Sequence, residues 1–314
     1  MQNNIFRKVL VVGIIVLFIR MSSISSTGIS KLEKTTIPIL YDGNILYVGG
    51  DGPGNYSNIQ DAVKNASNGD TVFVYDGTYY EQVKIEKSIN LIGEEKNTTI
   101  IDGCGSGHVV LFKADYITVS GFTIQNGGND GLHLFWSDKC LIANNIIVNN
   151  KDCGIYSDEG CWDCNITYNR IENNSVGIGC LVRGYLIFRN IVKNNDIGIL
   201  LSGTEANVYK NIIANNDIGI FSSTVGGYSN VMYNNLLDND IHVSFEYFYL
   251  LSLLPLFFIL HLLTRWNGNY YDEHRFGPKI IRGTLILFTI TFELQFEFNW
   301  VNFDWRPAKG PYDI

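Results

Sequence analysis

Imidazole, carboxylates, aromatic rings and thiols gather in one stretch of this chain, between residues 130 and 164, and their spacing suggests what they could do. Two Gly-aliphatic pairs, Gly131-Leu132 and Gly154-Ile155, mark equivalent points there. Aligned on these pairs, His133 falls over Tyr156, Phe135 over Asp158 and Trp136 over Glu159, with Asp130, Asp138, Asp152, Trp162 and Asp163 close by. Outward rings beside carboxylates suit a sugar-binding groove. Rings cover the apolar faces of pyranoses, and carboxylates accept hydroxyl hydrogens or hold Ca²⁺. The ligand-binding candidates are therefore His133, Phe135, Trp136, Tyr156 and Trp162. If the groove is catalytic, Asp138, Asp158, Glu159 and Asp163 are the candidates for an acid/base pair, which requires a separation of about 5–9 Å. The plainer alternative is a solvated turn, with Lys139 and Asp163 forming a surface ion pair of little worth.

Cysteines cluster in the same place: Cys140, Cys153, Cys161, Cys164 and Cys180, with Cys104 earlier. Cys140 and Cys164 each stand five residues before a repeated Asn, which makes them neighbours in adjacent repeats. At an inter-strand spacing of about 4.8 Å such a pair is within disulfide reach, so it is either a disulfide or a buried thiol pair. Cys161-Trp162-Asp163-Cys164 is a single knuckle, whereas zinc sites pair two. No metal ligand set and no cofactor is assigned, Ca²⁺ being the one ion the carboxylates suggest. His108, His242, His261 and His274 are scattered along the sequence and receive no role.

The elements that must position these residues are legible from a repeat. Asn145, Asn169, Asn190, Asn211 and Asn234 recur at intervals of 21 to 24 residues. Three residues before each stands Ile142, Ile166, Ile187, Val208 or Val231, and two after stands Ile147, Ile171, Val192, Ile213 or Leu236. Five residues after each stands Asn150, Asn174, Asn195, Asn216 or Asn239, and a Gly follows, with His242 in its place in the last copy. A fixed period of this length means a solenoid. The leucine-rich signature is absent and Ile and Val dominate, so three short strands per coil fit, and the chain reads as a parallel β-helix. The Asn columns are expected at turns, in left-handed conformation, passing amide hydrogen bonds from coil to coil as an asparagine ladder. Ile59, Ala62, Val63 and Ala66 follow Asn58 with helical periodicity, which predicts a short helix covering the open first coil.

Composition agrees. Asn and Gly number 34 and 31 in 314 residues, both poor helix formers, which excludes a helical bundle. Acids outnumber bases 31 to 23, a net charge of −8, which argues against a nucleic-acid partner. Arg7 and Lys8 precede the apolar run Val9 to Ile19, so residues 1–25 read as a signal peptide or N-terminal anchor. Tyr247 to Leu263 is apolar enough to read as either a membrane span or a cap within 245–264. In the tail, 265–314, Phe292 to Trp300 alternates with polar residues as a half-buried strand does.

The run from Asn58 to Glu94, with its Gly77-Thr78-Tyr79-Tyr80-Glu81 turn, resembles the opening of pectin-lyase-like right-handed parallel β-helix proteins. The coils that follow resemble the NosD-like and the carbohydrate-binding and sugar-hydrolase repeat groups, over about residues 45–243. Trp266 to Tyr271 and Asn302 to Pro307 look like the ending of microbial surface members. Pectin methylesterases share Gly77, Tyr79 and Glu81, but their downstream Asp and Arg motifs have no counterpart here. Polygalacturonase, epimerase and lyase motifs are absent too. NosD-like kinship implies periplasmic copper handling, although no His-, Met- or Cys-rich motif stands out.

The sequence thus predicts an all-β, right-handed parallel β-helix over 44–244, of roughly eight coils, with an N-terminal capping helix and an apolar C-terminal segment. It predicts export to the cell surface, with membrane contact through 247–263 an open alternative, and non-catalytic binding of polysaccharide or cell-envelope partners. The alternatives are a polysaccharide lyase or hydrolase using the carboxylates above, and NosD-like copper handling.

Overall fold

The computed structural model describes residues 43–158, 160–180, 184–202, 205–225, 229–250, 265–272, 279–288, 295–304 and 306–314. The leader-like residues 1–25 and residues 251–264 of the apolar segment lie outside this range, as does Glu159. Within it the chain winds as a right-handed parallel β-helix of about eight coils. Each coil contributes one short strand to each of three sheets of ten, nine and ten strands. Pairing is in register and parallel throughout, except that the last strand, Gln295–Asp304, returns antiparallel to Lys279–Phe288. Strands of three to five residues suffice because stacked coils, not strand length, supply the core. Ile142, Ile166, Ile187, Val208 and Val231 form one fully buried inward column. Burying each such side chain stabilises by about 2 kcal/mol.

The two Asn columns are ladders, with one division of labour that the sequence did not reveal. The ladder residues are not themselves left-handed. The residue before each takes that conformation: Asn144, Tyr168, Arg189, Lys210 and Tyr233 in one column, and Asn149, Asn173, Asn194, Asn215 and Asp238 in the other. The following Asn is then free to point inward. Asn145 donates through its backbone N–H and Nδ2 to Asn169 Oδ1 at 3.0 and 3.1 Å, and Asn169, Asn190, Asn211 and Asn234 repeat the pattern. Each Nδ2 also reaches a carbonyl of the preceding coil, as Asn190 does to Ile166 O at 2.8 Å. Asn269 is a further rung, and the column ends on the buried carboxylate of Asp304, which accepts from Gly268 N, Asn269 N and Asn269 Nδ2. The Gly column exists for clearance. A Cβ on Gly177 would stand 2.5 Å from Gly198 O and 3.1 Å from Asn195 Nδ2.

The predicted helix spans Ile59–Asn65, with Asn58 as its N-cap, and buries Ile59, Ala62 and Val63 against the first coil. Glu81 completes it from another coil, accepting Ile59 N and Gln60 N at 2.8 Å each. Tyr79 packs under Gly77 and donates its hydroxyl to Tyr75 O. The Gly-x-Tyr-x-Glu turn is therefore part of the cap. Residues 247–250 end the strand Ile241–Leu250. Among the described residues no helix is long and apolar enough to cross a membrane.

Candidate functional site

The third sheet carries the site on its outer face. Leu111, His133, Tyr156 and Gly179 are register partners on neighbouring strands, so the expected stacking of His133 on Tyr156 is present, with ring centroids 5.2 Å apart. The positions flanking them on the same strands, such as Leu132 and Leu134, point inward and are buried, because side chains alternate along a strand. One residue ahead of the strand Val110–Phe112, the Val109 N–H bonds to Asp130 O, which sets His108 beside Asp130. Four titratable groups meet there. Asp130 Oδ2 is 2.8 Å from His133 Nδ1 and 3.0 Å from His108 Nδ1, and the two imidazole centroids are 4.2 Å apart. On its other side His133 Nε2 reaches Asp158 Oδ2 at 3.0 Å. Asp130 Oδ1 accepts the Cys153 N–H at 3.0 Å, which anchors the carboxylate to the next coil.

Two opposed effects set the charge. Burial disfavours a charged His133 ring, but the hydrogen bonds to Asp130 and Asp158 outweigh it, and its pKa is raised. Burial, joined by the cationic His133 nearby, lowers that of His108. His108 Nδ1 and His133 Nδ1 share one carboxylate oxygen, Asp130 Oδ2. One nitrogen of each imidazole and an Asp130 oxygen lie within 4.8 Å of one another, close enough to share one metal ion.

The other sequence candidates divide into two groups. Phe135 and Asp158 occupy neighbouring coils as expected, with Lys113 Nζ 5.1 Å from the Phe135 ring centroid. Trp136 and Trp162 are 66% and 56% exposed on the turn that leads from the third sheet to the next coil. The Trp136 ring lies against Gly160, where Glu159 was expected. Asp138 is occupied by the turn: its Oδ1 accepts the Trp162 N–H at 2.7 Å. Lys139 and Asp163 share a left-handed column, but Lys139 donates to the Tyr116 hydroxyl at 3.1 Å. His108 escaped the sequence reading because its coil has Val109 where later coils have Gly. Aligning Val110-Leu111-Phe112 with Leu132-His133-Leu134 would have placed it beside Asp130.

Fold and site together define a right-handed parallel β-helix protein with an outward cluster of histidines and carboxylates. The family model described as "Periplasmic copper-binding protein (NosD)" matches residues 63–247, more than half of the chain, and the chain belongs to that family. Among solved structures, the pectate lyase Pel9A is similar over 78% of this chain and 76% of its own, at 13% identity and TM-score 0.55. XylC, solved in complex with xylose, is similar over 73% of this chain and 68% of its own, at 13% identity and TM-score 0.58. At such identity these likenesses show the fold. No curated protein matches the sequence.

Proposed function

We propose that this protein is an exported β-helix module that binds a borderline divalent metal ion, copper by the description of its family, through His108, Asp130 and His133. The observation that carries this reading is the convergence of two imidazole Nδ1 atoms on one buried carboxylate oxygen. Two imidazoles and one carboxylate suit copper, zinc or nickel, and they disfavour Ca²⁺, which takes oxygen ligands. Asp158 completes the arrangement. Accepting a hydrogen bond from His133 Nε2, it fixes the ring so that Nδ1, once its proton toward Asp130 is displaced, would face the ion. Because His133 holds its proton more firmly than an ordinary histidine, metal uptake releases it, and affinity rises with pH through the neutral range. Export is supported by the basic-apolar leader pattern and by the periplasmic description of the family.

A second reading is binding of a polysaccharide or cell-envelope partner. It is favoured by the exposed rings of Trp136 and Trp162 beside the same sheet.

Electron paramagnetic resonance of the purified full chain with one equivalent of Cu²⁺ tests the first reading. Two coupled imidazole nitrogens are expected, and oxygen-only or free aqueous copper would overturn it. Native gels cast with neutral and uronic polysaccharides test the second. Retardation lost in Trp136→Ala and Trp162→Ala supports it, and unretarded migration on every polymer rejects it.

A further inference from the structure

The six cysteines are all free thiols in the structure, and five of them lie in the coils that carry the site. Their partners across the coils differ. Cys180 is in register with Ser157, and Cys153 with Val176. Cys161 Sγ accepts the Ser137 N–H at 3.4 Å, and Cys104 is exposed on a turn. Leu141 pairs with Asn165, so the residues before them, Cys140 and Cys164, face each other in adjacent coils. Both are fully buried, and Cys164 Sγ accepts the Cys140 N–H at 3.3 Å. Cys140 Sγ lies 3.5 Å from Asp138 O, and Cys164 Sγ lies 3.3 Å from Ser137 O. Both sulfurs thus rest on the turn that presents Trp136 and Asp138.

We propose that Cys140 and Cys164 are a disulfide site, closed in the oxidising compartment to which the chain is exported, and that the other four cysteines stay reduced. Adjacent-coil Cα atoms at about 4.8 Å fall within disulfide range, and only this pair places sulfur opposite sulfur. Closure transfers two electrons: the two thiols lose two protons and form one S–S bond, while the disulfide of a thiol–disulfide oxidant is reduced to a dithiol. Full burial places the reaction before the later coils seal the thiols, or during a local opening. The bond joins two coils beneath the turn holding Trp136, Asp138 and Trp162, and so fixes the spacing of the exposed rings. This inference is independent of metal binding.

The full chain, secreted into a bacterial periplasm, is alkylated, denatured and digested without reductant. A Cys140–Cys164 linked peptide is expected, with Cys104, Cys153, Cys161 and Cys180 alkylated. Alkylation of both Cys140 and Cys164, or linkage of either to another cysteine, overturns the proposal. As a second readout, reductant should lower Tm of the wild type by ~5 °C and leave Cys140→Ser/Cys164→Ser unmoved. An equal effect on both proteins would contradict it.

Discussion

The coils before and after Gly179 share one frame and differ in what they show to solvent. Along the outward column of the third sheet the early coils read Leu111, His133 and Tyr156, and the later coils Gly179, Leu200, Phe221 and Ser244. From Asn169 to Asn211 the ladder advances by 21 residues per coil, whereas the step from Asn145 to Asn169 takes 24. In the longer coil the turn out of the third sheet carries Cys161, Trp162, Asp163 and Cys164. The inward columns are the same on both sides, because clearance and hydrogen bonding inside the helix leave no choice of residue. The outward columns are under no such constraint, so a departure from the repeat there marks chemistry.

Breaking the shared frame should have the largest effect. Asn190→Ala removes an amide that accepts from Asn169 and donates to Ile166 O, Phe188 O and Asn211 Oδ1, leaving buried groups unpaired. A loss of about 3 kcal/mol is expected in denaturant unfolding. A loss below about 1 kcal/mol would mean that the ladder is not what holds the coils. Asp304→Ala, at the end of the same column, should cost about 2 kcal/mol by the same assay. Burial lifts the Asp304 carboxyl above its ordinary range, against the hydrogen bonds that it accepts from Asn269, Arg306 and Gly268. The stability that its protonation contributes is full below about pH 4 and is lost as pH rises through the raised folded value. Asp304→Asn should abolish that slope, and an unchanged profile would assign it elsewhere.

Changes to the outward face sharpen the comparison from the other side. Asp158→Ala should weaken metal binding by about 10–100-fold at unchanged stoichiometry, because His133 loses the acceptor that orients its ring. Leu200→Ala, on the same column but in the later coils, should leave metal affinity alone, as titration calorimetry of the two variants would show. Trp162→Ala should change stability by less than about 0.5 kcal/mol, since the ring is exposed and its backbone N–H keeps Asp138. A larger loss would make the ring part of the turn's packing.

Sequence periodicity carried most of the fold, because both ladders, the Gly column and the aliphatic columns repeat at fixed intervals. It missed the rungs where the interval breaks: Asn269 lies 35 residues beyond Asn234, and Asp304, which ends the column, belongs to no repeat. It also assigned the left-handed conformation to the ladder residues rather than to their predecessors, since Asn occupies both places in Asn144-Asn145 and Asn149-Asn150. The site was half legible. His133, Tyr156 and Asp158 were registered correctly from Gly131 and Gly154. His108 was not, because the coil that bears it has no Gly marker, and the bond from Trp162 N to Asp138 has no signature in the repeat.

One metal site formed by His108, Asp130 and His133 is what distinguishes the early coils under the proposed function. The direct measurement is Cu²⁺ affinity of the purified full chain beside His108→Ala and His133→Ala, with thermal unfolding of each. The structure predicts one ion per chain in the wild type and at least ~100-fold weaker binding in either variant, with Tm nearly unchanged. Absence of binding by the wild type, or undiminished binding by both variants, would contradict it.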